Sequence, residues 1–324
     1  METTQSSLFH YCSNQKCFSI LGGKTLRMSD IQKSNDHQEL RLFFPRLLHY
    51  IESLYIQQPF PIKYRNLTDV SAMMIMVRES LDYWNRRFLD GEFSDFVVCF
   101  SEVPDVLSQW RGYADDGKGC CIGFSKEQLQ YYCSAYSEVL RLEKVQYLSA
   151  KQIDDQIWSC ANGIVSALPS LRTMIMESQH VTDDNPDLDI MIRYQFDRLL
   201  EFTFVDSLRY KAEGFSEEKE WRLFLSNPGY KNPDWICRAN NTAVPGPSWF
   251  EKTIDFLNNK VEFMATDNNL IAYYPIHFSE FKGQVVTQIW MGPKNRILDR
   301  DLDLYLRTNG YENLQIFHSR ISYC

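Results

Sequence analysis

Apolar positions along the chain fall into short runs of strand length, separated by longer stretches with helical spacing. Leu8–Tyr11 and Thr25–Ser29 read as strands on either side of a short helix that stops at Gly22 and Gly23. Phe96–Ser101 and Gly119–Phe124 are continuous apolar runs, the pattern of buried strands. Glu138–Leu148 holds further strand-like stretches. Glu220–Ser226 alternates, with Trp221, Leu223 and Leu225 on one face and Glu218, Glu220 and Arg222 on the other. Val285–Trp290 and Leu314–His318 add two late strands around a short helix at Asp299–Thr308, closed by Asn309–Gly310.

The helical signals concentrate in two regions. From about Glu39, a set including Phe43, Phe44, Leu47, Leu48 and Ile51 recurs close to helical spacing. Pro45 sits in the first turns or marks a break, and Pro59 and Pro61 end the region. A second helix starts with Thr68 as its N-cap and ends near Gly91, with Met73, Met74, Val77, Leu81, Trp84 and Phe88 on its apolar side. Residues 150–200 read as mainly helical, interrupted at Pro169 and again at the polar loop Thr182–Pro186.

Strands at both ends and in the middle of the chain argue for one α+β domain over residues 1–324, with a mixed sheet core. Helical insertions at about 39–91 and 150–205 interrupt it. There is no internal repeat or low-complexity tract.

Composition narrows the function classes. A net charge of -8 argues against a broad surface for gripping duplex DNA, though it leaves room for a local basic groove. No apolar run approaches the roughly 20 residues that span a bilayer, so no membrane partner is expected. The nine cysteines form an odd count, and Met1–Ser7 lacks a basic-then-apolar leader pattern. Reduced thiols and a cytoplasmic location follow as expectations. The aromatic fraction of 14% is high enough to line a site that stacks on rings as well as to fill a core.

Three segments carry candidate chemistry. His10, beside Tyr11, can donate or accept at a ribose hydroxyl, because neutral imidazole offers one nitrogen of each kind. Its bland alternative is a core histidine. The stretch from Ser108 to Gly119 puts Trp110, Arg111 and Tyr113 ahead of a turn marked by Gly117 and Gly119. Aromatic faces can stack on a cationic ring and Arg can grip phosphate bidentately, or the same residues can simply pack a sheet corner. Glu217, Glu218, Glu220 and Arg222 form the third segment, either a pair of working carboxylates with a cation or a solvated charged edge. His10, Cys12 and Cys17 lack paired Cys-x-x-Cys spacing, and no metal site is expected. Phosphate-loop, dinucleotide-fingerprint and nucleophile-elbow motifs are absent.

In combination these segments resemble a widespread bacterial family catalogued as a domain of unknown function, number 2971. The resemblance runs through His10–Tyr11, Leu26 and Ser29, Asn35–Asp36 with Glu39, Cys99–Ser101, Gln109–Ala114 with its Gly-rich turn, and Glu218–Arg222. His37 stands where that pattern often has Pro. A looser resemblance is to the His-Tyr-Glu ADP-ribosyltransferases, which bind NAD in the cleft of a split β-sandwich. That likeness implies NAD as the substrate, with His10 holding the adenosine-side ribose and Tyr113 or Trp110 stacking on nicotinamide. It implies that Glu220 stabilises the oxocarbenium-like state and that Glu218 positions the acceptor. Tyr11, Ser29, Arg111 and Arg222 would complete the NAD site. A second tyrosine of that pattern has no counterpart. The family context implies a toxin or antiphage effector, with a protein or nucleic acid as acceptor and a regulatory partner protein.

Three alternatives stay open on the sequence. One is a non-catalytic nucleotide or nucleic-acid module using Arg111, Lys118, Lys211 and Arg222. Another is a magnesium-dependent nuclease-like hydrolase built on Asp115, Asp116, Glu218 and Glu220. The third is an interaction protein whose helical insertions bind a partner.

Overall fold

The structure is a computed structural model that describes residues 6–31, 37–57, 67–89, 96–136, 140–179, 188–225, 261–265, 270–312 and 314–323. Asn35, Asp36, Pro59, Pro61, Gly91, Glu138, Thr182–Pro186 and Ser226 lie outside the described residues. The chain divides into two compact units. One comprises residues 1–34, 94–145 and 214–324, the other 35–93 and 146–213.

In the first unit, among the described residues, ten strands form one mixed sheet. They are β1 (Ser7–Cys12), β2 (Thr25–Asp30), β3 (Phe96–Ser101), β4 (Cys120–Ser125), β5 (Leu140–Lys144), β8 (Glu220–Leu225), β9 (Glu262–Ala265), β10 (Leu270–His277), β11 (Val286–Met291) and β12 (Gln315–His318). The short strands β6 (Gln146–Leu148) and β7 (Tyr210–Ala212) belong to the second unit, where they pair in parallel. Strand β1 pairs along its length with β4, which leads to β11 and then, in parallel, to β12. β3 pairs along its whole length with β8, and β8 with β5.

The other edge of β3 is shared. At its C-terminal end β1 pairs through Phe9 and Ser101 alone, and at its N-terminal end β2 pairs through Ser29–Val97 and Asp30–Phe96. Two wings of the sheet therefore part along one edge of β3, with β2 continuing to β10 and β9.

One face of this sheet carries the main core. Leu8, Cys12, Met28, Phe100, Ile122 and Leu223 pack there with Cys17, Ile20 and Leu21 of α1 (Asn14–Gly23). Leu129 and Tyr132 of α5 (Lys126–Ala135) and Leu302 and Leu306 of α8 (Asp299–Thr308) join them. Ser13 caps α1 through its side chain, and Lys24 ends the helix in the left-handed region, φ 47°. The opposite face holds a smaller cluster of Phe9, Tyr11, Trp110, Ala114 and Cys121. Trp110 comes from α4 (Leu107–Tyr113), a short helix where the sequence showed only an aromatic segment before a turn.

The second unit is built mainly from α2 (His37–Gln57), α3 (Leu67–Leu89), α6 (Ala150–Gln179) and α7 (Leu188–Ser207). Phe44 sits at its centre, with ring centroids 5.8 Å from Trp84 and 5.0 Å from Phe204. Two prolines do not act as breaks. Pro45 lies inside α2, and α6 continues through position 169. Thr68 is the second residue of α3 rather than its cap. Among the described residues, no helix is long and apolar enough to cross a membrane.

Candidate functional site

The opening along β3 is where His10 stands. β1 and β3 meet at Phe9–Ser101 and make no further rung. In place of the next one, His10 Nδ1 lies 2.9 Å from the Cys99 carbonyl oxygen. A carbonyl only accepts, so Nδ1 carries the proton. Burial holds the imidazole below its ordinary pKa, the Cys99 carbonyl opposing and Lys16 adding to that shift. The ring is therefore neutral near pH 7, and Nε2 keeps its lone pair as an acceptor. The side chain is half-buried and meets Phe100 edge-on at 6.0 Å. Tyr11 plays a different part. Its hydroxyl donates to Val103 O and accepts from Val106 N, pinning the loop ahead of α4, and burial pushes its pKa up.

Trp110 is fully buried, edge-on to Tyr11 at 4.8 Å, and its indole N–H donates to Asp105 Oδ1 at 2.7 Å. Asp105 also accepts from Ser319 Oγ and from Arg320 N. Trp110 thus has neither an open face nor a spare donor for a ligand ring, and it anchors the corner. Tyr113 is half-buried against the same cluster, and Arg111 is exposed with its guanidinium 5.9 Å from the Tyr323 ring centroid.

The glycine-rich turn closes on itself. Asp115, Asp116 and Gly117 are all left-handed, at φ 49°, 54° and 85°. The amides of Gly117, Lys118 and Gly119 bond to Ala114, Trp110 and Asp115 carbonyls, which leaves none of these three aimed outward as a phosphate cradle. A Cβ at Gly119 would lie 2.2 Å from the Cys12 carbonyl oxygen, so only glycine fits there. Asp116 is taken by Tyr323 and Lys294, whose hydrogen bonds hold its carboxyl below the usual range.

On the far side of β3, Ser101 pairs with Glu220 and Cys99 with Arg222. Arg222 Nε and Nη2 donate to the two Glu220 oxygens at 2.7 and 3.2 Å, and both side chains are almost entirely buried. The bland expectation of a solvated charged edge fails here, because β8 is flanked by β3 and β5 rather than lying at a rim.

Glu218 is not on the strand. It ends a 3-10 turn, Glu213–Glu218, and left-handed Lys219, φ 44°, resets the chain before β8 begins. Strand alternation therefore does not reach Glu218. Its carbonyl accepts from Ser101 Oγ at 2.7 Å, and its side chain is buried while Glu217 is exposed. Trp221 turns to the opposite face, where its indole N–H donates to Glu102 and Lys126 Nζ sits 3.8 Å over its ring.

His10, Ser101 and Glu220 thus gather at one end of β3, but not on one side. Alternation sends Glu220 toward the side of Ser101 and Phe9, and His10 toward the side of Phe100. Ser29 flanks the other end of the opening, beside Val97. Lys211 belongs to the helical unit. Three residues that sequence reasoning passed over matter locally. Asp105 organises the corner. Arg27 shares the face of Ser29, a signal readable from their two-residue spacing. Tyr273 had no signal, because β10 was not read as a strand.

Curated proteins and solved structures contain no match to the chain. Residues 109–223 match the family described as protein of unknown function (DUF2971), which supports that resemblance over the stretch holding both the Trp110 corner and Glu218–Arg222.

Proposed function

We propose that the protein is an NAD-consuming enzyme of ADP-ribosyltransferase type. The observation that carries this reading is the parting of β1 from β3 after one rung, with a neutral histidine in the opening whose Nε2 is an acceptor. That acceptor suits a ribose hydroxyl, and a split sheet is what the resemblance implies for an NAD cleft.

In the reaction, the bond between nicotinamide and ribose C1′ breaks and its electron pair leaves with nicotinamide. The ribose becomes oxocarbenium-like, and an acceptor nucleophile bonds to C1′ while losing its proton to solvent. A carboxylate whose hold strengthens as that positive charge develops lowers the barrier. By the resemblance Glu220 takes this role, its carboxylate fixed by both Arg222 nitrogens and set on the sheet face opposite His10. Glu218, buried two residues before it, positions the acceptor. Tyr113 takes the ring-stacking role, because Trp110 is closed off.

The test is incubation of the purified protein with NAD, with and without cell lysate, following nicotinamide by chromatography. Release that disappears in a folded His10→Ala variant supports the reading. A requirement for lysate would indicate transfer, and release without it hydrolysis. No release under either condition sinks the proposal.

A further inference from the structure

We infer that the Gln109 side chain binds the carboxamide of a nicotinamide ring, amide to amide, beside Tyr113. This rests on the reading above for the identity of the ligand. Gln109 lies in α4, one residue before the Trp110 anchor, and is only 7% exposed. A buried carboxamide ordinarily finds partners inside the protein, because leaving it dry and unpaired is unfavourable. Among the described residues, nothing donates to the Gln109 side-chain oxygen and nothing accepts from its nitrogen. The neighbouring Ser108 Oγ is sealed from solvent without a partner, whereas neither polar atom of the Gln109 side chain is sealed. The little surface that Gln109 keeps therefore includes both ends of its carboxamide.

The helix sets the surroundings of that amide. At about 100° per residue, Gln109 and Tyr113 fall on one flank of Trp110, one turn apart, with Cβ atoms about 5–6 Å from each other. Arg111 turns to the other flank, where its guanidinium meets the Tyr323 ring. Gln109 is thus directed away from that C-terminal segment. Helix α4 covers the sheet face of Phe9 and Tyr11, the face toward which alternation sends Ser101 and Glu220. A ring stacked on Tyr113 there has the Gln109 amide at its side, on the same sheet face as the Glu220 carboxylate.

One carboxamide complements another. Gln109 offers a carbonyl oxygen as acceptor and an NH2 group as donor, and the nicotinamide substituent offers the same pair in reverse, so two hydrogen bonds form together. A carboxylate in that place would face the Gln109 carbonyl with no proton to give. The site therefore selects the amide over the acid.

The experiment is calorimetric titration of the full chain with three probes. They are NAD, its deamidated analogue, in which a carboxylate replaces the carboxamide, and benzamide, which carries a ring and the amide alone. Gln109→Met and Gln109→Leu are compared with wild type, and exposed Arg300→Ala, the control, should match wild type. Wild type should bind NAD about tenfold more tightly than the deamidated analogue, and the Gln109 variants should lose about tenfold in NAD affinity together with that preference. Because the amide has no partner in the protein, Gln109→Met should keep or raise the midpoint of urea unfolding. A clear fall in that midpoint would mean that the amide serves the fold, and overturns the inference. Unchanged NAD affinity in either folded variant also overturns it, and nicotinamide release that persists with an unchanged KM then leaves the enzyme reading standing alone. Gln109-dependent benzamide binding without any nicotinamide release from NAD supports the amide site and removes the enzyme reading. No binding of NAD or benzamide by wild type overturns the amide site.

Discussion

The Trp110–Gly119 corner and the His10 opening both looked like ligand sites in the sequence, and the structure treats them in opposite ways. In the corner the polar groups that looked useful are consumed internally. The indole N–H goes to Asp105, the turn amides to nearby carbonyls and Asp116 to Lys294 and Tyr323. At the opening, a histidine spends one nitrogen on a strand edge and keeps an acceptor. Residue type alone did not separate the two. What separates them is whether hydrogen-bonding capacity remains after the fold has been satisfied. The Glu220–Arg222 pair falls between, because it is fully engaged but charged, and so it can serve both fold and chemistry.

That contrast can be broken most sharply at Trp110. Trp110→Ala should cost about 3–5 kcal/mol, from lost burial and the lost indole hydrogen bond to Asp105. Urea unfolding followed by circular dichroism measures it, with separate transitions for the two compact units allowed for in the fit. A loss well below 1 kcal/mol would mean that the corner is not an anchor.

Arg222→Ala should cost about 3–5 kcal/mol by the same assay, because it removes the guanidinium that holds a buried carboxylate. Replacing both partners, as Glu220→Leu with Arg222→Met, should recover most of that stability, since a buried pair can be exchanged for apolar packing. The double variant should still release no nicotinamide. Activity in it would remove Glu220 from the mechanism.

His10→Ala gives up one hydrogen bond to a carbonyl, so about 1 kcal/mol is expected in the urea assay. Its effect on NAD turnover should be far larger than its effect on stability, the reverse of Trp110→Ala. The pH dependence follows from the lowered pKa of His10. In the unfolded chain the imidazole takes up its proton near pH 6.5, while in the folded protein it does so only at lower pH. The stability contributed by the neutral ring is therefore complete above pH 6.5 and declines as pH falls toward the folded value. Below that value the loss levels off. His10→Ala should flatten this part of the stability-versus-pH curve. Arg111→Ala, at an exposed position, should move stability by no more than about 0.5 kcal/mol.

Much of the sheet was legible because buried strands leave continuous apolar runs. Phe96–Ser101 appears where its run predicts, and Asp299–Thr308 is helical as its pattern indicates. What was hidden has physical reasons. β10 contains Pro275, which argues against a strand in any sequence reading. Helix α5 begins directly after β4, with no turn between them to announce it. Pro169 looked like a break, yet α6 carries on past it. At the site, the residue types were readable but not their directions. Left-handed Lys219 separates Glu218 from the alternation of β8, and nothing in the local pattern gives that away. The solitary Phe9–Ser101 rung that creates the opening joins residues 92 positions apart, beyond the reach of any local signal.

The central claim is that His10 presents Nε2 as an acceptor to a ribose hydroxyl of NAD. Long-range nitrogen–proton correlation spectra of the imidazole, recorded near pH 7 with and without NAD, test it directly. The account predicts a neutral ring protonated on Nδ1 and a clear shift of the Nε2 resonance as NAD is added. A ring protonated on Nε2, or an Nε2 resonance unmoved by saturating NAD, would contradict it.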